Sequence, residues 1–176
     1  MKDIPIIINN FNRLTSTRNM YEFLKNRNFS NIVILDNAST YPPLLNWYRT
    51  LEKTEVVNFE VNIGAHCLFD SGYLKNNVTS EYLVYTDADL ELNDRIRVDF
   101  LEIMKSFLLK YDEKKIGLAL KIDDVPVNCY RNCISGSIEW ERQFWVNELE
   151  KDVYRASSPM RIQKSSFKIL GWVTSL

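Results

Sequence analysis

Four short apolar runs, each emptying into a polar turn, most constrain what this chain can fold into. They are Ile4 to Ile8, Asn31 to Leu35, Glu55 to Val61, and Glu81 to Tyr85. Ile4-Pro5-Ile6-Ile7-Ile8 is a β-branched run with one early proline, the pattern of a strand buried on both faces. Between the runs, apolar residues recur at helical spacing. A first helix is expected to begin near Thr15 or Ser16, both good N-caps, and to gather Leu14, Met20, Tyr21, Phe23 and Leu24. Pro42 and Pro43 suit the opening of a second, with Leu44, Leu45, Trp47, Tyr48 and Leu51 on its apolar side. A third is expected from about Cys67 to Leu74. The resulting βαβαβαβ order predicts an α/β fold, a Rossmann-like and mostly parallel sheet with helices on both faces and right-handed crossovers.

The pattern continues past the fourth run. Ile96, Phe100, Ile103, Phe107, Leu108 and Tyr111 form an amphipathic helix, and Ile116 to Ile122 reads as a further buried strand, ended by Asp123-Asp124 and Pro126. Ser137 to Trp145 reads as the start of another helix. From Val153 to Leu176 there are four basic residues and no acid, with neither helical nor strand periodicity. The expected organisation is one domain over residues 1–152 and an irregular basic tail over 153–176.

A chain of 176 residues is long enough for one domain that buries roughly two-thirds of its unfolded surface. Its 22 basic and 23 acidic residues leave a net charge of -1, so no basic field draws in nucleic acid. The opening apolar run is too short for a secretory signal, and no run reaches the length of a membrane span. A cytoplasmic protein without a transmembrane segment is expected. Three cysteines (Cys67, Cys129 and Cys133) with a single histidine, His66, point to reduced thiols and argue against a structural zinc site. With only 5 glycines, no strand leads into a Gly-rich dinucleotide or P-loop turn. Nucleophilic serine or cysteine chemistry would have to rely on His66 alone.

The remaining chemistry lies in the turns. In open α/β sheets ligands bind outside the carboxyl ends of the strands. Those ends here carry Asn9 to Asn12, Asp36 to Ser39, Asn62 to Gly64, and Asp87 to Asp89. If the strand through Tyr82-Leu83-Val84-Tyr85-Thr86 continues, Asp87 and Asp89 share a face. Two carboxylates suit a hard cation, Mg²⁺ or Mn²⁺, that keeps positions open for water and phosphate oxygens.

Ile4 to Asn12, then Val33-Ile34-Leu35-Asp36-Asn37-Ala38-Ser39-Thr40, then Asn62-Ile63-Gly64, then Tyr85-Thr86-Asp87-Ala88-Asp89 resemble family 2 of the GT-A-fold glycosyltransferases. These show a polar-aromatic-Asn turn, a V-D-[DN]-x-S-T turn, an N-x-G turn and a D-x-D motif in the same order. The Asn-Ala-Ser turn and Asp-Ala-Asp-Leu-Glu-Leu are similar to members that build bacterial surface polysaccharide. The resemblance implies a nucleotide-binding part over about residues 1–95 and a partial acceptor part after it. It further implies that Asn9 and Asn10 border the nucleobase, Asp36 and Asn37 meet base and ribose, and Asn62 and Gly64 shape the next wall. Asp87 then faces ribose or metal, and Asp89 holds the Mn²⁺ or Mg²⁺ that bridges the diphosphate of a nucleotide sugar, UDP-linked by first expectation. Many relatives carry Asp where Asn37 stands, which leaves the base open.

The implied activity is metal-assisted, inverting transfer of a hexosyl group to a saccharide or lipid-linked saccharide acceptor, at the inner face of the membrane. Inversion needs a general base after the metal motif, and Glu139 and Glu141 beside Trp140 and Trp145 are the candidates. Trp140, Phe144 and Trp145 near Arg142 read first as the apolar side of a core helix, with peripheral contact to a lipid-linked acceptor as the alternative. The segment from Ser157 onward matches no family pattern, as in a truncated or divergent member. Two alternatives stand beside the enzyme: a GT-A domain that binds nucleotide sugar without catalysis, and a haloacid-dehalogenase-like phosphatase, which places its D-x-D on the first strand rather than the fourth.

Overall fold

In the computed structural model, residues 2–92, 94–119, 139, 141–155 and 168–172 are described. The chain divides into two compact units, Met1–Gly117 with Ser166–Trp172, and Leu118–Ser165 with Val173–Leu176. The first holds β1 (Ile6–Asn10), α1 (Thr15–Asn26), β2 (Ile32–Asp36), α2 (Pro42–Tyr48), β3 (Glu55–Asn58), α3 (Cys67–Asp70), α4 (Tyr73–Asn77), β4 (Tyr82–Asp87) and α5 (Phe100–Lys110). β5 (Lys115–Leu118) follows, and β8 (Lys168–Trp172) returns from the end of the chain. The second unit contains a short antiparallel pair, β6 (Glu148–Glu150) and β7 (Val153–Tyr154).

The sheet order is β3-β2-β1-β4-β8-β5, and the β1–β2, β1–β4, β2–β3 and β4–β8 pairs are all parallel. The fold is α/β and Rossmann-like, with β1 at its centre. Ile6, Ile7 and Ile8 are all fully buried. Because consecutive strand residues point to opposite faces, both faces of the sheet are covered. Each such isoleucine contributes about 1.5–3 kcal/mol of apolar burial. On one face Ile34 packs with Leu44 and Tyr48 of α2, flanked by Leu14, Trp47, Leu51 and Val56. On the other, Phe69 of α3 meets the Tyr85 ring edge-on at 5.8 Å.

Several sequence expectations shift. α1 begins at Thr15 as foreseen, but the residue preceding it is Leu14, in helical conformation, and no side chain caps the helix. Thr17 instead returns its hydroxyl to the Arg13 carbonyl. The single helix expected over Cys67 to Leu74 is two short ones, because Gly72 adopts φ +75° and breaks the turn between them. The run Glu55 to Val61 keeps strand geometry only to Asn58. β5 covers the start of the Ile116 to Ile122 run, whose end lies outside the described residues. So do Asp123, Asp124, Pro126, Cys129, Cys133, Trp140, residues 156–167 and the first two residues of the helix expected from Ser137, of which residues 139, 141 and 142 are helical and Gln143–Trp145 form a 3-10 turn.

The largest correction concerns the tail. Residues 168–172 are not irregular but form β8, inserted between β4 and β5, with Lys168 opposite Tyr82 and Leu170 opposite Val84. Its apolar run, Ile169 to Trp172, is only four residues long, and the serines and basic residues around it hide the strand signal. No described helix is long and apolar enough to cross a membrane.

Two substitutions separate packing from backbone effects. Ile7→Ala removes a fully buried side chain and is expected to cost about 2–5 kcal/mol. Gly72→Ala meets only Asn76 Nδ2 at 3.6 Å, so its cost is the left-handed backbone alone, about 1–2 kcal/mol. Urea unfolding of both variants tests the ranking, which an equal or reversed pair of midpoints would overturn.

Candidate functional site

The chain runs outward from β1 to β2 and β3, then crosses back to place β4 on the other side of β1. This reversal makes the gap between the carboxyl ends of β1 and β4 the topological switch point, where open α/β sheets leave a crevice for ligands. In the β1–β4 register Asn9 stands opposite Asp87. Asn9 Nδ2 donates to Asp87 Oδ1 at 3.1 Å, so the amide and carboxylate are linked across the switch point.

Asn9 continues this network into the next two turns. Its Oδ1 accepts from Asn37 Nδ2 and from the Cys67 thiol, the latter at 3.2 Å. Asn37 Nδ2 also donates to the Gly64 carbonyl at 3.2 Å, while its Oδ1 accepts the Ile63 N–H at 3.1 Å. Asn62 Oδ1 accepts the Gly64 N–H at 2.8 Å, a local Asx-type turn, and Gly64 takes φ +89°. Asn9, Asn37, Gly64 and Asp87, predicted from separate turns, are therefore brought together. Tyr85 OH donates to the Ala65 carbonyl at 2.6 Å and closes the same face.

Strand alternation sends Asn10 to the opposite face. There it lies beside Asp36 in the β1–β2 register, and Asn10 Nδ2 donates to Tyr48 OH at 2.6 Å. Tyr48 OH donates in turn to Asp36 Oδ2 at 2.8 Å, and Asp36 Oδ1 accepts the Ser39 N–H at 2.8 Å. Asn10, Asp36 and Asn37 are only 1–2% exposed. These three residues build the edge of the sheet from within and present little surface to a ligand.

What the edge does present is different. Phe11, next in sequence to Asn10, is 46% exposed and Tyr41 is 45% exposed. The Asn12 side chain joins the two turns that bear them, its Oδ1 accepting the N–H groups of Thr40 and Tyr41 at 2.8 and 3.0 Å. A cleft of about 640 Å³ is lined by Asn12, Arg13, Ser16 and Tyr41 on one side and by Asp89 and Glu91 on the other. That volume is within the roughly 300–1,000 Å³ of small-molecule sites. Phe11, Arg13, Tyr41 and Glu91 were not among the residues singled out from sequence. The signal for Phe11 was present, as an aromatic inside an otherwise polar turn after a buried strand.

Asp89 does not reach its position by strand alternation. β4 ends at Asp87, and Ala88 and Asp89 form the following turn, with the Ala88 N–H donated to the Asn9 carbonyl at 3.0 Å. Asp87 is half-buried and Asp89 exposed. Among the described residues no three His, Cys, Asp or Glu side chains gather as a metal cluster. Two oxygen-donor carboxylates still fit a hard divalent cation that takes its other ligands from a diphosphate and water. Glu139 and Glu141 belong to the second unit, where Glu139 is exposed and Glu141 buried. Phe144 is buried there too, and Trp145 packs on Tyr154 at 5.4 Å.

Burial raises the Tyr48 and Tyr85 phenols well above their ordinary value of 10.0 and raises the Cys67 thiol above 9.0. Tyr73 is pushed up to about 12, by burial first and by Glu55 second. Folding therefore favours the neutral form of each group. Their stability contribution is complete below the ordinary values of 9.0 and 10.0, where the unfolded chain is also neutral. It is lost as pH rises through those values toward the folded ones. Unfolding free energy is expected to fall steeply from about pH 9 upward. The part of the tyrosinate absorbance due to Tyr48, Tyr73 and Tyr85 is expected to appear together with loss of structure; full ionisation of these three in a still-folded chain would contradict this.

Asn37→Asp replaces a donor that serves two carbonyl oxygens by a charge that repels them. The expected cost is about 1–3 kcal/mol, measured by thermal or urea unfolding, and a neutral result would show that the bridge does not hold the turn. Comparison of the chain with protein-family models, with curated proteins and with solved structures finds no match.

Proposed function

We propose that this chain is a metal-assisted glycosyltransferase of the GT-A type, taking its donor as a sugar linked to a nucleoside diphosphate. The observation that carries the reading is the switch-point pair, Asp87 at the end of β4 bonded to Asn9 at the end of β1, followed two residues later by Asp89, which lines the cleft. A carboxylate edge attracts a diphosphate only if a cation intervenes, and Asp87 and Asp89 would hold it. Bound there, a Mg²⁺ or Mn²⁺ ion would neutralise the charge that develops on the leaving diphosphate.

The protein's own groups have distinct parts in this reading. Phe11 offers an exposed ring on which a nucleobase can stack. The Asn9–Asn37–Gly64 bridge fixes the floor beneath base and ribose. Arg13, exposed on the cleft wall, supplies a positive charge to the phosphates or to an anionic sugar. The acceptor is a saccharide or lipid-linked saccharide, and the assembly of bacterial surface polysaccharide is the setting the motifs suggest. The second reading, a domain that binds nucleotide sugar without turning it over, is favoured by one observation. Glu141, one of the two residues named as general base, is buried at 4% exposure.

Titration calorimetry with UDP and GDP, with and without Mn²⁺, tests the reading. Wild type is expected to bind one of them in a manganese-dependent manner. Asp89→Ala is expected to weaken that binding at least tenfold, about 1.4 kcal/mol, without altering the circular dichroism spectrum. Affinity and manganese dependence untouched by Asp89→Ala would sink the proposal. Binding without product across a panel of sugar nucleotides and acceptors would select the non-catalytic reading. Turnover of simple phosphate esters would select the phosphatase.

A further inference from the structure

We infer that Tyr48 is a positioning residue whose hydroxyl locks together the turns after β1 and β2 and so sets the shape of the nucleotide-binding edge. The functional half of this inference rests on the reading given under Proposed function.

The geometry is a one-way chain of donors. Asn10 Nδ2 donates to Tyr48 OH at 2.6 Å, and that hydroxyl donates to Asp36 Oδ2 at 2.8 Å. Each end of the chain holds a backbone N–H outside the strands. Asn10 Oδ1 accepts the Arg13 N–H at 3.2 Å, and Asp36 Oδ1 accepts the Ser39 N–H at 2.8 Å. One hydroxyl on α2 is thus connected, through two buried side chains, to the turn carrying Phe11 and Arg13 and to the turn leading to Tyr41. Neither Asn10 nor Asp36 has enough exposed surface to exchange this partner for water, since each is 1% exposed.

The ring of Tyr48 cannot move to follow the hydroxyl. It is buried with Ile34 and Leu44, and Trp47 and Leu51 pack against the same cluster. The phenol oxygen is therefore a fixed point, set by core packing, from which both turns are suspended. Phenylalanine would keep that packing and delete only the fixed point. A buried carboxylate would then lose one of its donors and a buried amide would lose its acceptor. The loosened residues are those that frame the cleft, so the change is expected to be read in ligand affinity as well as in stability.

The test is Tyr48→Phe, examined by amide hydrogen exchange and by calorimetric binding of UDP with Mn²⁺. Exchange at the Arg13 and Ser39 N–H groups is expected to accelerate together, and UDP affinity to fall about three- to tenfold. Tyr21→Phe serves as the control, because its hydroxyl accepts from Thr54 Oγ1 at 3.1 Å, in neither turn. That variant is expected to leave both readouts unchanged. If Tyr48→Phe does not fold, Asp36→Asn retains the size while exchanging one acceptor for a donor, and the same two turns are expected to loosen. Acceleration at only one turn, or across the whole sheet alike, overturns the coupling. Coupled acceleration with UDP affinity within twofold of wild type overturns the role in binding. If wild type binds no nucleoside diphosphate, the proposed function falls, and exchange at Arg13 and Ser39 alone decides the coupling.

Discussion

The side-chain alternation at the end of β1 is the constraint on which the rest of this edge depends. Asn9 and Asn10 are adjacent in sequence, yet a strand must point them to opposite faces. Asn9 is thereby committed to Asp87, Asn37 and Cys67, and Asn10 to Tyr48 and Asp36. Neither face could be organised by an isoleucine continuing the run, because the polar groups that meet there would be left without partners. The switch from Ile8 to Asn9 is the point at which the strand stops being core and becomes site.

That commitment has an energetic consequence. A buried polar group that loses its partner costs about 1–3 kcal/mol, a large fraction of the 5–15 kcal/mol by which a domain of this size is stable. Asn10, Asp36 and Asn37 are all in this position. Their networks are therefore parts of the fold as much as of the site. The edge holds its shape through its own bonds, so a ligand seated there would meet a lower ordering cost.

The sheet was legible in the sequence because its signal is local. Runs such as Ile6-Ile7-Ile8 and Ile32-Val33-Ile34-Leu35 leave no amphipathic alternative, and their order fixes a parallel α/β arrangement. Three features were hidden for separate physical reasons. β8 is a five-residue run whose strand character comes from pairing with β4, not from its own periodicity. The break at Gly72 depends on a positive φ that a helical apolar pattern does not register. Tyr48 lies on the apolar side of α2 through its ring, but the periodicity of apolar residues carries no information about where a hydroxyl points. At the site, residue types and turns were legible, while exposure was not. Asp36 and Asn37 read as ligand contacts and turn out to be enclosed, whereas Phe11 and Arg13 face outward.

The amide at position 37 follows from the structure. This side chain must donate to Asn9 Oδ1 and to the Gly64 carbonyl, and at the same time accept the Ile63 N–H. An amide does both; an ionised carboxylate can only accept. With Asp at this position, Asn9 would have to turn its amide toward residue 37, and the donation to Asp87 would be lost. Asn37 thus keeps Asn9 oriented with its NH₂ toward the carboxylate of β4. The identity of a residue in the second turn sets the donor that the fourth turn receives, and the two halves of the switch point cannot vary independently.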